Sequence, residues 1–222
     1  ISNQDLMHMG QALADMPLIT AGSGVAIGLP QNWKARGVLA ANTAADTLPA
    51  ATGYQAVVSG SCSVATNAQV LHWRQAGKPA FAVDPLAVAS GTDVVQQALS
   101  WAAPQLKDGP VLIYATAEPA AVKAIQNQLG VAQAGELVEH TLSNIAKGLV
   151  QAGVRQLVVA GGETSGAVVQ ALDVQRMVIG PQIDPGVPWC HAQTELAAVH
   201  LTLKSGNFGT DDFFTKAFTQ LN

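Results

Sequence analysis

Gln156-Leu157-Val158-Val159-Ala160-Gly161-Gly162-Glu163-Thr164-Ser165-Gly166 is the stretch whose reading decides the fold. Behind Arg155, a short apolar, β-branched run ends on a glycine pair, which reads as a buried strand. Small and hydroxyl residues follow, and then the apolar-rich segment 167–172, which suits a helix. Strand, glycine turn, hydroxyl and helix form a layout that can receive an anion. Glycines let the backbone come close, and free N–H groups at a helix start point at the ligand. Thr164 or Ser165 is expected to cap that helix.

Three further turns of this type lie outward from the stretch. Residues 17–20 read as a strand before Gly22-Ser23-Gly24 and a helix around 25–29. Residues 55–58 read as a strand before Ser59-Gly60-Ser61-Cys62-Ser63 and a helix over 64–76. Val199, Leu201 and Leu203 alternate with His200 and Thr202, the pattern of a half-exposed strand at a sheet edge; Lys204-Ser205-Gly206 follows. Further strands are expected at 79–83, 110–114 and 176–180. Apolar spacing of three and four predicts helices over 5–16, 93–103, 119–129 and 136–150. A last helix is expected after Thr210, with Asp211 and Asp212 in its first turn. Residues 30–53 read as a long loop with a helical piece near Trp33, and 181–188 as a proline-stiffened loop. Strands thus alternate with helices. The expected fold is α/β, a mostly parallel sheet with helices on both faces and room for an antiparallel edge strand. Glycine turns after parallel strands would gather at one carboxyl edge, where such sheets bind ligands.

Composition narrows the function classes. Of 222 residues, 49% are hydrophobic and 12% charged, with mean hydropathy +0.24, which argues for a dense core and against disorder. Residues 1–222 are expected to form one nucleotide-binding domain. The net charge of -4 leaves no basic footprint for nucleic acid. No apolar run approaches the roughly 18 residues that cross a bilayer. The polar start lacks the basic residues of a leader. Two cysteines make no disulfide framework, so a cytoplasmic setting is expected. The low charge content is compatible with a homodimer.

The turns are individually weak signals. Gly22, Gly24 and Gly28 miss the dinucleotide spacing by one residue, and no lysine follows Gly161-Gly162 as a Walker loop requires. Each alone could be a tight strand–helix connection; four together favour a nucleotide or phosphate. Lys204 at a strand end could place its charge on a phosphoryl oxygen, or it could be an exposed lysine. Asp184 could hold a metal or orient a hydroxyl, or start the turn before Pro185. Glu163 could meet Mg²⁺ directly or through water, or be a solvated residue at a helix start. His191, His200 and Cys190 lack metal-ligand spacing, so no metal site is assigned to the protein itself. Ser59, Ser61 and Ser63 lack the context of a serine hydrolase.

Taken in order, residues 158–166, 179–189 and 203–209 resemble the four-carbon acid sugar kinase family, in particular its 3-oxo-tetronate 4-kinase branch. The turns at 20–24 and 58–63 fit as well. The resemblance covers nearly the whole chain but only the family's carboxyl-terminal, nucleotide-binding half. It implies transfer of the ATP γ-phosphoryl group, with Mg²⁺, to the terminal hydroxyl of a four-carbon sugar acid such as 3-oxo-tetronate. The sugar acid would be held by an amino-terminal half absent from this chain, so the chain alone is expected to bind nucleotide without efficient turnover. The resemblance implies ATP contacts at Ser59, at Gly161, Gly162, Glu163 and Thr164, and at Gly206. Physical grounds add Ser165, and Lys204 with Asp184 as candidate catalytic groups. A non-catalytic α/β module for a phosphorylated metabolite is the competing reading. A dinucleotide oxidoreductase lacks its glycine fingerprint.

Overall fold

A computed structural model describes residues 2–40, 42 and 44–221. The chain divides into two compact units, Ile1–Ala45 and Asp46–Asn222.

The first unit contains α1 (Asn3–Ala12), a 3₁₀ helix (Ser23–Gly28) and α2 (Leu29–Ala35). Ser2 and Asp5 close a capping box on α1, each side chain accepting from the other's backbone N–H. Gly10 lets α1 touch the 3₁₀ helix, since a Cβ there would lie 2.3 Å from Gly28 backbone atoms. The strand expected at 17–20 does not form. Its apolar residues find no neighbouring strand, and Leu18 stays exposed. Helix α2 occupies the start of the expected loop over 30–53; Ala41 and Thr43 of that loop lie outside the described residues.

The second unit is the α/β body. Its strands are β1 (Tyr54–Ser59), β2 (Ala80–Ala82), β3 (Val111–Tyr114), β4 (Val154–Ala160), β5 (Met177–Asp184), β6 (Val187–Gln193) and β7 (Ala198–Lys204). Its helices are α3 (Val64–Gln75), α4 (Pro85–Ala89), α5 (Val94–Gln105), α6 (Pro119–Leu129), α7 (Val131–Gln151), α8 (Gly162–Ala171) and α9 (Phe213–Thr219). The strand order is β2-β3-β1-β4-β7-β6-β5; the first five run parallel, and β6 is antiparallel to both neighbours.

Both faces of the sheet are covered, which is why β1 and β4 read as continuous apolar runs. Period-two alternation sends Ala56, Val58, Leu157 and Val159 into a core with Leu142, Ile145 and Leu149 of α7 and Val168 of α8. Val57, Leu112, Val158 and Ala160 face the other way, against Trp73 of α3 and Phe213, Phe214 and Phe218 of α9. Trp189 closes that second core and donates its indole N–H to the Ala217 carbonyl at 2.8 Å.

The carboxyl-terminal part departs from the sequence reading. Strand β7 lies inside the sheet, between β4 and β6. The polar residues that made it look half exposed are buried: Thr202 is 0% and His200 3% exposed. His200 Nε2 meets the Pro49 carbonyl at 3.0 Å and its ring packs on that of His191, with centroids 4.8 Å apart. The edge at this end of the sheet is instead β5. The stretch 181–188 is a hairpin with Pro185-Gly186 at its tip, and Gly186 takes φ +79°. Pro181 fits because β5 is an edge and its pairing shifts register after Ile179; Pro185 sits in the turn, and Pro188 lies near the start of β6, ahead of its pairing with β7 from Cys190. Likewise Thr210, Asp211 and Asp212 precede α9, whose first residue is Phe213.

Asp184 ends β5 as a tie to α9. Its carboxylate accepts from the Thr210 N–H at 3.0 Å, the Thr210 hydroxyl at 3.2 Å and the Lys216 ammonium. Burial pushes this carboxyl up, but the Lys216 and Thr210 bonds outweigh it, and its pKa falls below the ordinary 3.8. A depressed value stabilises the fold above 3.8 and loses that contribution as pH falls through the lower folded value. Asp184→Ala is expected to cost about 2 kcal/mol near neutrality. Thermal melts should show this deficit shrinking as the pH falls below 3.8, where the native carboxyl also protonates.

Candidate functional site

Three loops leave the sheet side by side. The registers Ser59↔Ala160 and Ala160↔Lys204 end β1, β4 and β7 at one level. The loops after β1 and β4 each bond to the neighbouring strand's end. The N–H groups of Gly60 and Ser61 donate to the Ala160 carbonyl at 2.9 and 3.2 Å, and Gly161 N–H donates to the Lys204 carbonyl at 2.8 Å. The approach leaves no room for side chains. A Cβ on Gly60 would sit 2.2 Å from Thr164 Oγ1, and one on Gly206 would sit 2.7 Å from Ser61 Oγ. Gly161 also takes φ +127°, a conformation that disfavours any other residue. The fourth expected turn, Gly22-Ser23-Gly24, belongs to the first unit.

A cavity of about 480 Å³ opens above these loops, within the size range of small-molecule sites. Its floor is Gly60, Ser61 and Cys62 with Gly161, Gly162, Glu163 and Thr164; its apolar wall is Pro85, Val122, Ile125, Ala134 and Val138. Helix α8 begins at the floor, with Gly161 as its N-cap. Its first N–H groups have no partner inside the helix, and they carry the positive end of the helix dipole. Electrostatically the lining as a whole is acidic. Glu139 and Glu163 belong to it, and no lysine or arginine does. Burial raises the Glu139 carboxyl pKa, and the nearby Glu163 and Glu136 add to the rise. A second cavity of about 520 Å³ lies between α3 and the β3–α6 loop, beside Asn67, Arg74 and Tyr114, but only Cys62 of the three loops reaches it.

The candidate residues separate into two layers. Gly161, Gly162, Glu163 and Thr164 line the cavity. Neither Thr164 nor Ser165 caps α8; both are buried within its first turns, and Ser165 Oγ has no hydrogen-bond partner. Ser59 lies one layer down, fully buried, with its hydroxyl 2.7 Å from Thr116 Oγ1. Gly206 caps a polar cluster, its carbonyl accepting from Ser63 Oγ, from Thr66 Oγ1 at 2.9 Å and from Lys204 Nζ at 3.0 Å. Lys204 is 0% exposed, which excludes the reading of a solvated lysine. Its ammonium also donates to Thr66 Oγ1 at 3.0 Å, and burial brings its pKa down to about 8. Asp184, held by Lys216 and Thr210, does not line the cavity.

Sequence reasoning missed the apolar wall and the supporting hydroxyls of Thr66 and Thr116. A signal for the wall did exist. Val122 and Ile125 mark the apolar stripe of α6, yet α6 has no buried residue, so that stripe is only partly covered.

A family model described as the nucleotide-binding C-terminal domain matches residues 56–214. The chain is 55% identical over 222 residues to a Burkholderia multivorans protein named 3-oxo-tetronate kinase, covering all of this chain and 51% of the relative. A Pseudomonas fluorescens protein of the same name is 54% identical, again over all of this chain and 50% of the relative. A crystal structure of a Haemophilus influenzae protein superposes with TM-score 0.79 at 38% identity, over all of this chain and 52% of that one. The chain therefore spans about half the length of the curated relatives it matches.

The loop geometry makes Gly161 the least replaceable floor residue. Gly161→Ala would force an unfavourable φ and bring Cβ to 2.8 Å from Thr164 Oγ1. The expected loss is about 1–3 kcal/mol in chemical denaturation. Gly162→Ala, whose Cβ meets nothing within 4 Å, should be close to neutral.

Proposed function

The chain belongs to the nucleotide-binding C-terminal domain family, and from that premise we propose that its cleft binds ATP as the donor half of a kinase for four-carbon sugar acids. One observation carries this reading. Three glycine loops converge at the carboxyl edge of parallel strands, with a helix N-terminus opening into a cavity that has one apolar side. A nucleotide has the same division into an anionic end and a flat apolar end.

In this reading the N–H groups of Gly162, Glu163 and Thr164 hold phosphate oxygens, with Gly60 and Ser61 beneath. The base lies against Val122, Ile125 and Val138. Ser59, Ser165 and Gly206 act from the supporting layer. Asp184 serves the structure by holding the 205–210 loop to α9, outside the chemistry.

Among the described residues no cluster of three or more His, Cys, Asp or Glu side chains could cage a metal. Mg²⁺ commonly keeps its waters and binds through substrate phosphates and one or two carboxylates, so the residues present fit Mg²⁺ carried by the nucleotide, facing Glu163. When bound, Mg²⁺ offsets charge on the phosphates. The chain's own contribution is positioning: backbone donors fix the triphosphate, and the loops, hydrogen-bonded to one another, keep them fixed. The acceptor, the terminal hydroxyl of a sugar acid such as 3-oxo-tetronate, would be held by the counterpart of the half of the relatives' length that this chain does not span. Among the described residues no helix is long and apolar enough to cross a membrane; a cytoplasmic ATP pool suits the reading.

Isothermal titration of the full-length protein with ATP·Mg²⁺ should give saturable one-site binding. Val138→Arg, which puts charge in the base wall, should weaken it at least about tenfold. With a sugar acid present the full-length protein should transfer phosphate, whereas residues 1–222 alone should show under about 1% of that rate. Binding without transfer by the full-length protein would favour the non-catalytic module; no binding at all would overturn the site.

A further inference from the structure

The cleft has a charge problem. A triphosphate brings several negative charges, yet the lining offers two carboxylates and no lysine or arginine. A cation does lie directly behind the lining. Lys204 Nζ is buried under the 205–206 turn, donating to Thr66 Oγ1 and the Gly206 carbonyl at 3.0 Å each, with the Ser205 carbonyl at 3.4 Å. No carboxylate among the described residues pairs with it. A buried ammonium without a counter-ion is unfavourable, and hydrogen bonds to neutral oxygens only partly compensate.

We propose that Lys204 is a positioning residue for the nucleotide phosphates. From beneath the Gly206 turn its ammonium fixes that turn and Thr66, and it supplies at short range the positive charge that the cleft lining lacks. The route to the ligand runs through Gly206. That turn sits so close to Ser61 that a Cβ would be 2.7 Å from Ser61 Oγ, and Ser61 lines the cleft. Thr66 Oγ1 also lies 3.1 Å from Ser61 Oγ, within hydrogen-bond distance, a second link from the ammonium to the floor. The bound anion is then the missing counter-ion. The inference rests on the reading of this cleft as a nucleotide site.

A consequence follows for pH. Burial holds the Lys204 pKa at about 8. An anion nearby favours the charged form and raises that value in the complex. Binding then takes up a proton at alkaline pH, so affinity is full below about 8 and falls as the pH rises above it. The neighbouring elements present Thr66 from α3, Ser61 and Ser63 from the β1 loop and Gly161 from the β4 loop, none of them titratable. The titratable side chains of those segments are Cys62, Glu163 at the start of α8, and His72 and Arg74 in the last turn of α3.

The test is the affinity of the full-length protein for ATP·Mg²⁺ from about pH 7.5 to about 9.5, a range above the phosphate's own titration near 6. The expected wild-type result is a Kd that weakens up to about tenfold per pH unit above 8, with proton uptake seen as a dependence of binding heat on buffer ionisation. Lys204→Met should weaken binding at least about tenfold at the lowest pH and flatten the profile. Cys62→Ser should keep the slope. A wild-type Kd that stays flat across the range, or a slope lost in Cys62→Ser, overturns the role of Lys204 while leaving the nucleotide site standing. A Lys204→Met protein with the wild-type profile does the same. Should that variant fail to fold, the wild-type slope, the buffer dependence and Cys62→Ser decide the matter. Absence of nucleotide binding at every pH would remove the site and this inference together.

Discussion

Three parallel strands ending at one height is the constraint on which the rest depends. β1, β4 and β7 release the chain together: the loop after β1 hydrogen-bonds to the last carbonyl of β4, and the loop after β4 to the last carbonyl of β7. Loops this close pack side chains against backbone: a Cβ on Gly60 would meet the Thr164 side chain, and one on Gly206 the side chains of Ser61 and Ser63. The surrounding layers follow from keeping those ends level. Helices cover both faces, so the central strands can be apolar on both sides. The longest helix, α7, spans the sheet and also supplies part of the cleft wall.

Charge is scarce in this chain, and two of its lysines, the buried Lys204 and the half-buried Lys216, hold its carboxyl-terminal loops in place. Lys216 with Thr210 holds Asp184, and so docks the β5–β6 hairpin against α9. Lys204 holds Gly206 and Thr66, and so fixes the turn after β7 against α3. Both fix the 205–210 segment, one at Gly206 and the other at Thr210. Rigid loops on one side and a half-covered apolar wall between α6 and α7 on the other give the cleft a fixed polar end and an open apolar end.

Much of this was legible in the sequence because it rests on local chemistry. The runs at 55–58, 110–114 and 156–160 and the helices at 119–129 and 136–150 follow from period and propensity alone, and all of them form. The glycine turns were legible because few other residues satisfy their geometry. What failed was long-range. Residues 17–20 have the composition of a strand but no partner. His200 and Thr202 look solvent-facing but are buried beneath neighbours far off in sequence. The prolines of 181–188 suggested a loop, because the edge position of Pro181 and the place of Pro188 ahead of the β6–β7 pairing cannot be seen before the sheet is assembled. At the site, Gly161, Gly162, Glu163 and Thr164, which the sequence suggests as nucleotide contacts, line the cavity, whereas Lys204 and Ser59 are fully buried and do not. Position along a strand is visible in a sequence; depth is not.

Backbone amide resonances during titration with a non-hydrolysable ATP analogue and Mg²⁺ test the central claim most directly. The amides of Gly161, Gly162, Glu163 and Thr164 should shift first and furthest, with Val122, Ile125 and Val138 following as the base settles on the wall. Shifts confined to the second cavity beside Asn67 and Arg74, or to the unit that ends at Ala45, with the start of α8 unmoved, would contradict it.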